Sequence, residues 1–193
     1  MNDRGAALID LIAASALGLI LTGISVPVIG GTLDRERTIS GARFLAGQLQ
    51  RARLDSLKRA RAVALRIEVI DDEMTMRLYG DGNGNGVLQR DIERGIDLPF
   101  APAQRLDHEV PGVALRINQP IVDIGTGATL QPGDDPLRIG NSALVTFSPT
   151  GSSTSGTLYV AARRGPQMAV RVFGATGRIR VLMFDARMRQ WRP

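Results

Sequence analysis

The hydrophobic pattern along the 193-residue chain changes character twice. From Ala6 to Gly31 the side chains are almost uniformly apolar, and Asp10 is the sole ionisable group. As a helix this stretch would span about 39 Å, more than a hydrocarbon core of about 30 Å requires. From Thr32 the chain turns polar. Ala42, Leu45, Leu49, Ala52 and Ser56 then recur every three or four positions, the spacing of one helix face. This predicts an amphipathic helix continuing to about Arg59 with that face on a sheet. Arg51, Asp55 and Arg59 share another face at i, i+4 spacing. Beyond it the period falls to two, and residues 62–70 and 74–79 read as strands. Further strands are expected at 113–117, 143–148, 157–162, 167–173 and 177–183, joined by Gly- and Pro-rich turns. Residues 118–141 read as an exposed irregular insertion. The fold class is α+β, a long N-terminal helix packed on an antiparallel β-sheet domain.

Asp10 is the anomaly in this pattern. A carboxylate at membrane depth costs several kcal/mol unless it is paired. An ordinary secretory signal would have a more basic start and an unbroken apolar run. A plain membrane anchor would leave Asp10 without a partner. A cut after Gly5 changes this, because Ala6 then carries a new terminal ammonium and Asp10 becomes the fifth residue. A neighbouring copy's ammonium could neutralise it in a staggered stack of helices. Pro27 lacks an N–H, so it cannot bond back to the Gly23 carbonyl. It marks either the membrane exit or a place where the helix can bend.

Composition excludes several chemistries. The chain has no cysteine, which removes disulfides, thiol catalysis and Cys-ligated metals. His108 is the single histidine, so a histidine metal cluster is excluded. No catalytic constellation is evident, and the chain is expected not to be an enzyme. The net charge is +5, and Lys58 is the one lysine among 24 basic residues.

Two stretches carry candidate chemistry. In "DGNGNGVLQRDIE" (81–93), Asp81, Asn83, Asn85 and Gly86 match the first, third, fifth and sixth positions of a calcium loop. The twelfth position is Ile92, flanked by Asp91 and Glu93. The two readings are a Ca2+ site and a Gly/Asn turn tolerant of positive φ; otherwise no cofactor is expected. In "GATGRIRVLMFDARMRQWRP" (174–193), Arg178 and Arg180 point to one face of a strand while Ile179 faces the core. Arg187, Arg189 and Arg192 follow, with Trp191 among them. Residues 163–193 hold eight arginines against one acid, Asp185, an excess of seven that exceeds the charge of the whole chain. Arginines that hold phosphates and an aromatic that stacks on bases suit DNA. The alternative is that these arginines form structural pairs or contact neighbouring subunits.

The leader "MNDRG", the cut after Gly5, the acid at mature position five and Pro27 at mature position twenty-two together resemble the type IV pilin and pseudopilin family. Ala6 stands where that family usually has Phe, and Asp10 where it usually has Glu. The join "RARLDSLKRARAVALRI", the Gly/Asn loop at 81–86, the stretch at 146–165 and Gly177-Arg178-Ile179-Arg180 resemble the GspH/FimT group of minor pseudopilins. The resemblance implies a leader (1–5), a transmembrane assembly helix (6–31), its amphipathic continuation (32–61) and a periplasmic β-rich domain (62–193). It further implies cleavage by a prepilin peptidase with methylation of Ala6. It also implies a single pass of inner-membrane lipid. Assembly with other major or minor pilins or pseudopilins on an inner-membrane platform would then support protein secretion or pilus biogenesis. FimT-type members are associated with DNA uptake, which makes a DNA-binding minor pilin the alternative.

Overall fold

The computed structural model describes the backbone of residues 3–70, 73–140 and 142–193, and side chains outside 3–10, 18–30, 69–70 and 73. The elements run α1 (Asp3–Arg59), β1 (Val63–Ile70), β2 (Glu73–Gly80), α2 (Gln89–Glu93), β3 (Leu98–Pro99), β4 (Gln104–Arg105), α3 (Leu106–Glu109), β5 (Val113–Leu115), β6 (Ile121–Val122), β7 (Thr129–Leu130), β8 (Leu137–Arg138), β9 (Leu144–Phe147), β10 (Gly156–Ala162), β11 (Met168–Phe173), β12 (Arg178–Asp185) and β13 (Gln190–Arg192). The class is therefore α+β, a long N-terminal helix with antiparallel sheets.

The chain divides into two compact units, 1–33 and 34–193. In the first unit α1 carries Leu11, Ile12 and Leu17 exposed, Leu11 at 64%. Gly5, Ala6, Asp10 and Pro27 lie on the α1 backbone, but their side chains fall outside the described residues. Most of the expected membrane stretch, 6–31, shares that position. Among the described residues, no helix is long and apolar enough to cross a membrane.

In the second unit the period of the sequence explains the packing. Ala42, Leu45, Leu49, Ala52 and Ser56 of α1 are all fully buried. They meet Leu65, Ile67, Met76, Val145 and Phe147 of one sheet and Leu158, Val160, Val170 and Val172 of another in one apolar cluster. A Leu→Ala change in such a core typically costs about 2–5 kcal/mol. The helix stops through Ala60, which adopts φ 49°, and through Arg61 N–H donating to the Ser56 carbonyl at 3.3 Å.

One sheet has the order β3-β2-β1-β9, with β4 also paired to β2. The other has the order β13-β12-β11-β10-β5, with β8 also paired to β10. Each sheet turns one face to α1 and has part of its other face covered by a loop. Residues 81–97 cover Ala64, Tyr79 and Leu144 of the first sheet through Val87 and Ile92. Residues 117–130 cover Tyr159, Ala169 and Phe184 of the second through Ile117, Ile121 and Leu130.

The last point corrects the expectation of an exposed irregular insertion at 118–141. It contains the β6–β7 hairpin and β8, and Ile121, Asp123, Leu130 and Ile139 are buried. The physical reason is the aromatic face of the second sheet, which needs an apolar cover. The strand expected at 113–117 is shorter, ending at Leu115. The other expected strands appear within two residues of their predicted limits.

Candidate functional site

On β12 the alternation of a strand separates two groups of side chains. Ile179, Val181 and Met183 pack on the main core, whereas Leu182 and Phe184 join the cluster of Tyr159 and Trp191. Arg178 and Arg180 share the second face and are exposed. Register then adds residues that are distant in sequence. Arg180 stands opposite Arg171, Arg171 opposite Thr157, and Thr157 opposite Arg138. Arg180, Arg171 and Arg138 thus lie on one row crossing four strands, about 14 Å long at 4.8 Å per strand.

Like charges directly opposite on neighbouring strands are destabilising. Arg171 is held by its Nη1 donating to Thr157 Oγ1 at 2.8 Å. Among the described residues, neither Arg178 nor Arg180 pairs with a carboxylate. Phe173, opposite Arg178, is 38% exposed, and its ring lies 5.8 Å from the guanidinium carbons of both Arg171 and Arg180. Gly177, at φ 58°, turns the chain into β12 where a Cβ would press on the Gly151 carbonyl.

The C-terminal tail is arranged differently from the sequence expectation. Trp191 is half-buried. Its Nε1 donates to the Val122 carbonyl at 2.6 Å, and its ring lies 5.0 Å from Phe184 and 5.5 Å from Tyr159. It anchors the insertion to the sheet, and Phe173 is the aromatic on the basic face. Arg187 and Arg189 sit in the turn between β12 and β13, at the far end of β12 from Arg178. Seven residues of strand put about 23 Å between Arg178 and that turn. Arg192 pairs with Asp185 at 3.2 Å. The Asp185 carboxylate accepts from the Met188 and Arg187 N–H groups, which with nearby Arg192 hold its pKa below the usual value. The single basic patch read from the sequence is therefore two patches.

Between them, Asp123 organises the insertion. Its Oδ1 accepts from the Tyr159 hydroxyl at 2.8 Å, and its Oδ2 from the Thr126 hydroxyl at 2.7 Å and backbone at 2.9 Å. Burial alone would raise the Asp123 pKa, but these hydrogen bonds outweigh it and hold the carboxyl below its ordinary range. Burial, with the Asp123 carboxylate beside it, pushes the Tyr159 hydroxyl well above its usual value.

The 81–97 loop closes on its own hydrogen bonds. Asp81 Oδ1 accepts from Asn83 N and Gly84 N, and Oδ2 from Gly86 N. Asn85 and Asn83 direct their amide nitrogens to Asp91 Oδ2 at 2.9 and 3.4 Å. The Asn85 bond is the chief cause of the lowered Asp91 pKa. Asp97, which the sequence reading passed over, accepts from Gly82 N and Leu88 N and ties the loop at its far end. Glu93 is exposed and bonds to Gln89, and Ile92 packs on the core. In this arrangement the Asp81 oxygens accept from backbone donors, as in a Gly/Asn turn, and exposed Glu93 accepts from Gln89. Among the described residues, no group of three or more His, Cys, Asp or Glu is placed to hold a metal ion. Compared with protein-family profiles, curated proteins and solved structures, the chain matches none.

Proposed function

We propose that the chain is a minor pilin or pseudopilin subunit, cut after Gly5 and assembled into a filament that supports protein secretion or pilus biogenesis. The observation that carries this reading is the contrast along α1. From Ala42 to Ser56 its apolar stripe is buried in its own domain, whereas Leu11, Ile12 and Leu17 are exposed. Apolar side chains repeated over turns of helix need cover from outside the chain. Inner-membrane lipid before assembly, and neighbouring helices after it, supply that cover. Asp10 pairs with a neighbour's Ala6 ammonium, Pro27 permits the helix to bend, and the β-domain stands in the periplasm. The test is co-expression of the full chain with a prepilin peptidase, followed by intact-mass measurement. Loss of residues 1–5, blocked in Gly5→Leu, is expected. An uncut chain would remove this reading.

The row of Arg138, Arg171 and Arg180 beside Arg178 and Phe173 favours a second reading, a minor pilin that binds DNA during uptake. Arg178 and Arg180, which have no carboxylate partner among the described residues, are suited to phosphates, and an exposed ring can stack on a base. Anisotropy of a labelled single-stranded oligonucleotide, titrated with the full chain in micelles across a salt series, tests it. Binding that does not weaken with salt would remove the DNA reading.

A further inference from the structure

Two adjoining hollows on the second unit are unrelated to the arginine row. One, of about 450 Å³, is lined by Arg61, Ile96, Leu98 and Phe100 among others; the other, of about 520 Å³, by Gly47, Arg51, Leu54 and Lys58 among others. Arg59 and Phe100 belong to both, and the Arg59 guanidinium carbon lies 3.9 Å from the centre of the Phe100 ring. The two hollows thus adjoin at this pair, and we treat them as one groove beside α1. This groove presents exposed apolar side chains, with Leu54 52% and Leu98 60% exposed.

The rim is basic. Arg51 is neutralised by Asp55 at 3.8 Å. The Asp81 carboxylate is turned into its own loop. Among the described residues, Lys58, Arg59 and Arg61 have no carboxylate partner, and the lining's four cations, Arg51, Lys58, Arg59 and Arg61, exceed its two acids, Asp55 and Asp81, by two. Gly47 adds a separate observation. A glycine inside a helix costs about 1 kcal/mol relative to alanine. Here a Cβ would meet nothing within 4 Å, so internal packing does not require the glycine. Its bare backbone indents the groove where another backbone could approach closely.

The geometry points to the docking of an acidic amphipathic helix from a partner protein, with apolar side chains over Leu54 and Leu98 and carboxylates on Lys58, Arg59 and Arg61. Gly47, Arg51, Leu54 and Lys58 form one stripe of α1 at intervals of four, three and four, the spacing that receives the ridges of a second helix. An added strand fits less well, because the adjacent edge strand β3 has two residues and one is Pro99, which lacks a donor. A lipid surface fits less well too. The Lys58 end of the groove lies about 36 Å along α1 from Asp34, the first residue of this unit.

The test uses the full chain in micelles and three fluorescein-labelled helical probe peptides of about five turns. Each carries the same leucine stripe, flanked by Glu, Gln or Lys. The Glu peptide is expected to bind at least about tenfold more tightly than the Gln peptide, with the Lys peptide weakest. Gly47→Leu should abolish binding while the thermal unfolding temperature of the domain rises slightly, as expected when a helical glycine is replaced. Lys58→Glu combined with Arg61→Glu should reverse the preference towards the Lys peptide. Equal binding of the three peptides, no binding, or indifference to Gly47→Leu would overturn the proposal. So would a response to phosphatidylglycerol in the micelles instead of the peptides, or self-association of the chain lost in Gly47→Leu.

Discussion

Strands β10 to β12 present one continuous face whose two ends differ. At one end Tyr159, Phe184 and Trp191 lie under the 117–130 insertion, and the Tyr159 hydroxyl and Trp191 Nε1 are both hydrogen-bonded. At the other end Arg178 and Arg180 lie open around Phe173, and Arg180 stands directly opposite the half-buried Arg171. The same backbone thus carries a part optimised for stability and a part that gives some stability up. The difference separates aromatic from aromatic and arginine from arginine. Trp191 is structural although it sits among arginines, and Phe173 is available although its neighbours in sequence are apolar.

The sharpest way to break this comparison is to remove its aromatic end. Trp191→Ala should cost about 3 kcal/mol, read as a lowered denaturant midpoint, while the salt slope of DNA binding stays as in the parent chain. A stability change below 1 kcal/mol would move Trp191 to the functional side. Tyr159→Phe should cost about 1–3 kcal/mol, because Asp123 keeps its burial and loses a donor. Amide exchange of the 121–130 backbone should accelerate in the same variant.

The Asp123 linkage has a definite sign. Its folded pKa lies below the unfolded value of about 3.9, so its contribution is present above pH 4 and is lost as pH falls through the folded value. Tyr159 works in the opposite sense, since its raised pKa means stability is lost as pH rises above about 10. Asp123→Asn should flatten the acid limb of a plot of unfolding midpoint against pH. An unchanged acid limb would mean that other carboxylates govern it. The smallest stability effect belongs to Arg178→Ala combined with Arg180→Ala, a change within about 0.5 kcal/mol. On the DNA reading, the log–log salt slope for the single-stranded oligonucleotide should fall by about 1.4 in the same variant, two contacts at about 0.7 each.

Much of this fold was legible because period and burial coincide. The α1 stripe from Ala42 to Ser56 announced its buried face, and the alternation of β12 announced that Arg178 and Arg180 share a side. The insertion was not legible. Ile121, Leu130 and Ile139 are too widely spaced to show a period, and what buries them is a sheet face formed by later residues. The row of Arg138, Arg171 and Arg180 was not legible either, because strand register is a tertiary property and Thr157 joins arginines 33 residues apart. Trp191 misled for a related reason. Its partner, the Val122 carbonyl, lies 69 positions away, whereas its sequence neighbours suggested a base-stacking role. For the N-terminal segment, pattern alone still carries the reading of Gly5, Ala6, Asp10 and Pro27.

One contact near the start of the second unit has a mechanical consequence. The Ala162 N–H donates to Thr38 Oγ1 at 3.0 Å, and the Arg164 N–H donates to Asp34 Oδ2 at 3.1 Å. At Gly165 a methyl group would collide with Thr38. The end of β10 and the turn after it are thereby fastened to α1 at its first residues within the domain. Tension drawn along the helix from its N-terminal side enters the domain at this fastening, before it reaches the apolar stripe. From there it passes into β10, which is bonded to β11 on one side and to β5 and β8 on the other. Load entering there is shared by several ladders of hydrogen bonds, because β10 is an interior strand of its sheet.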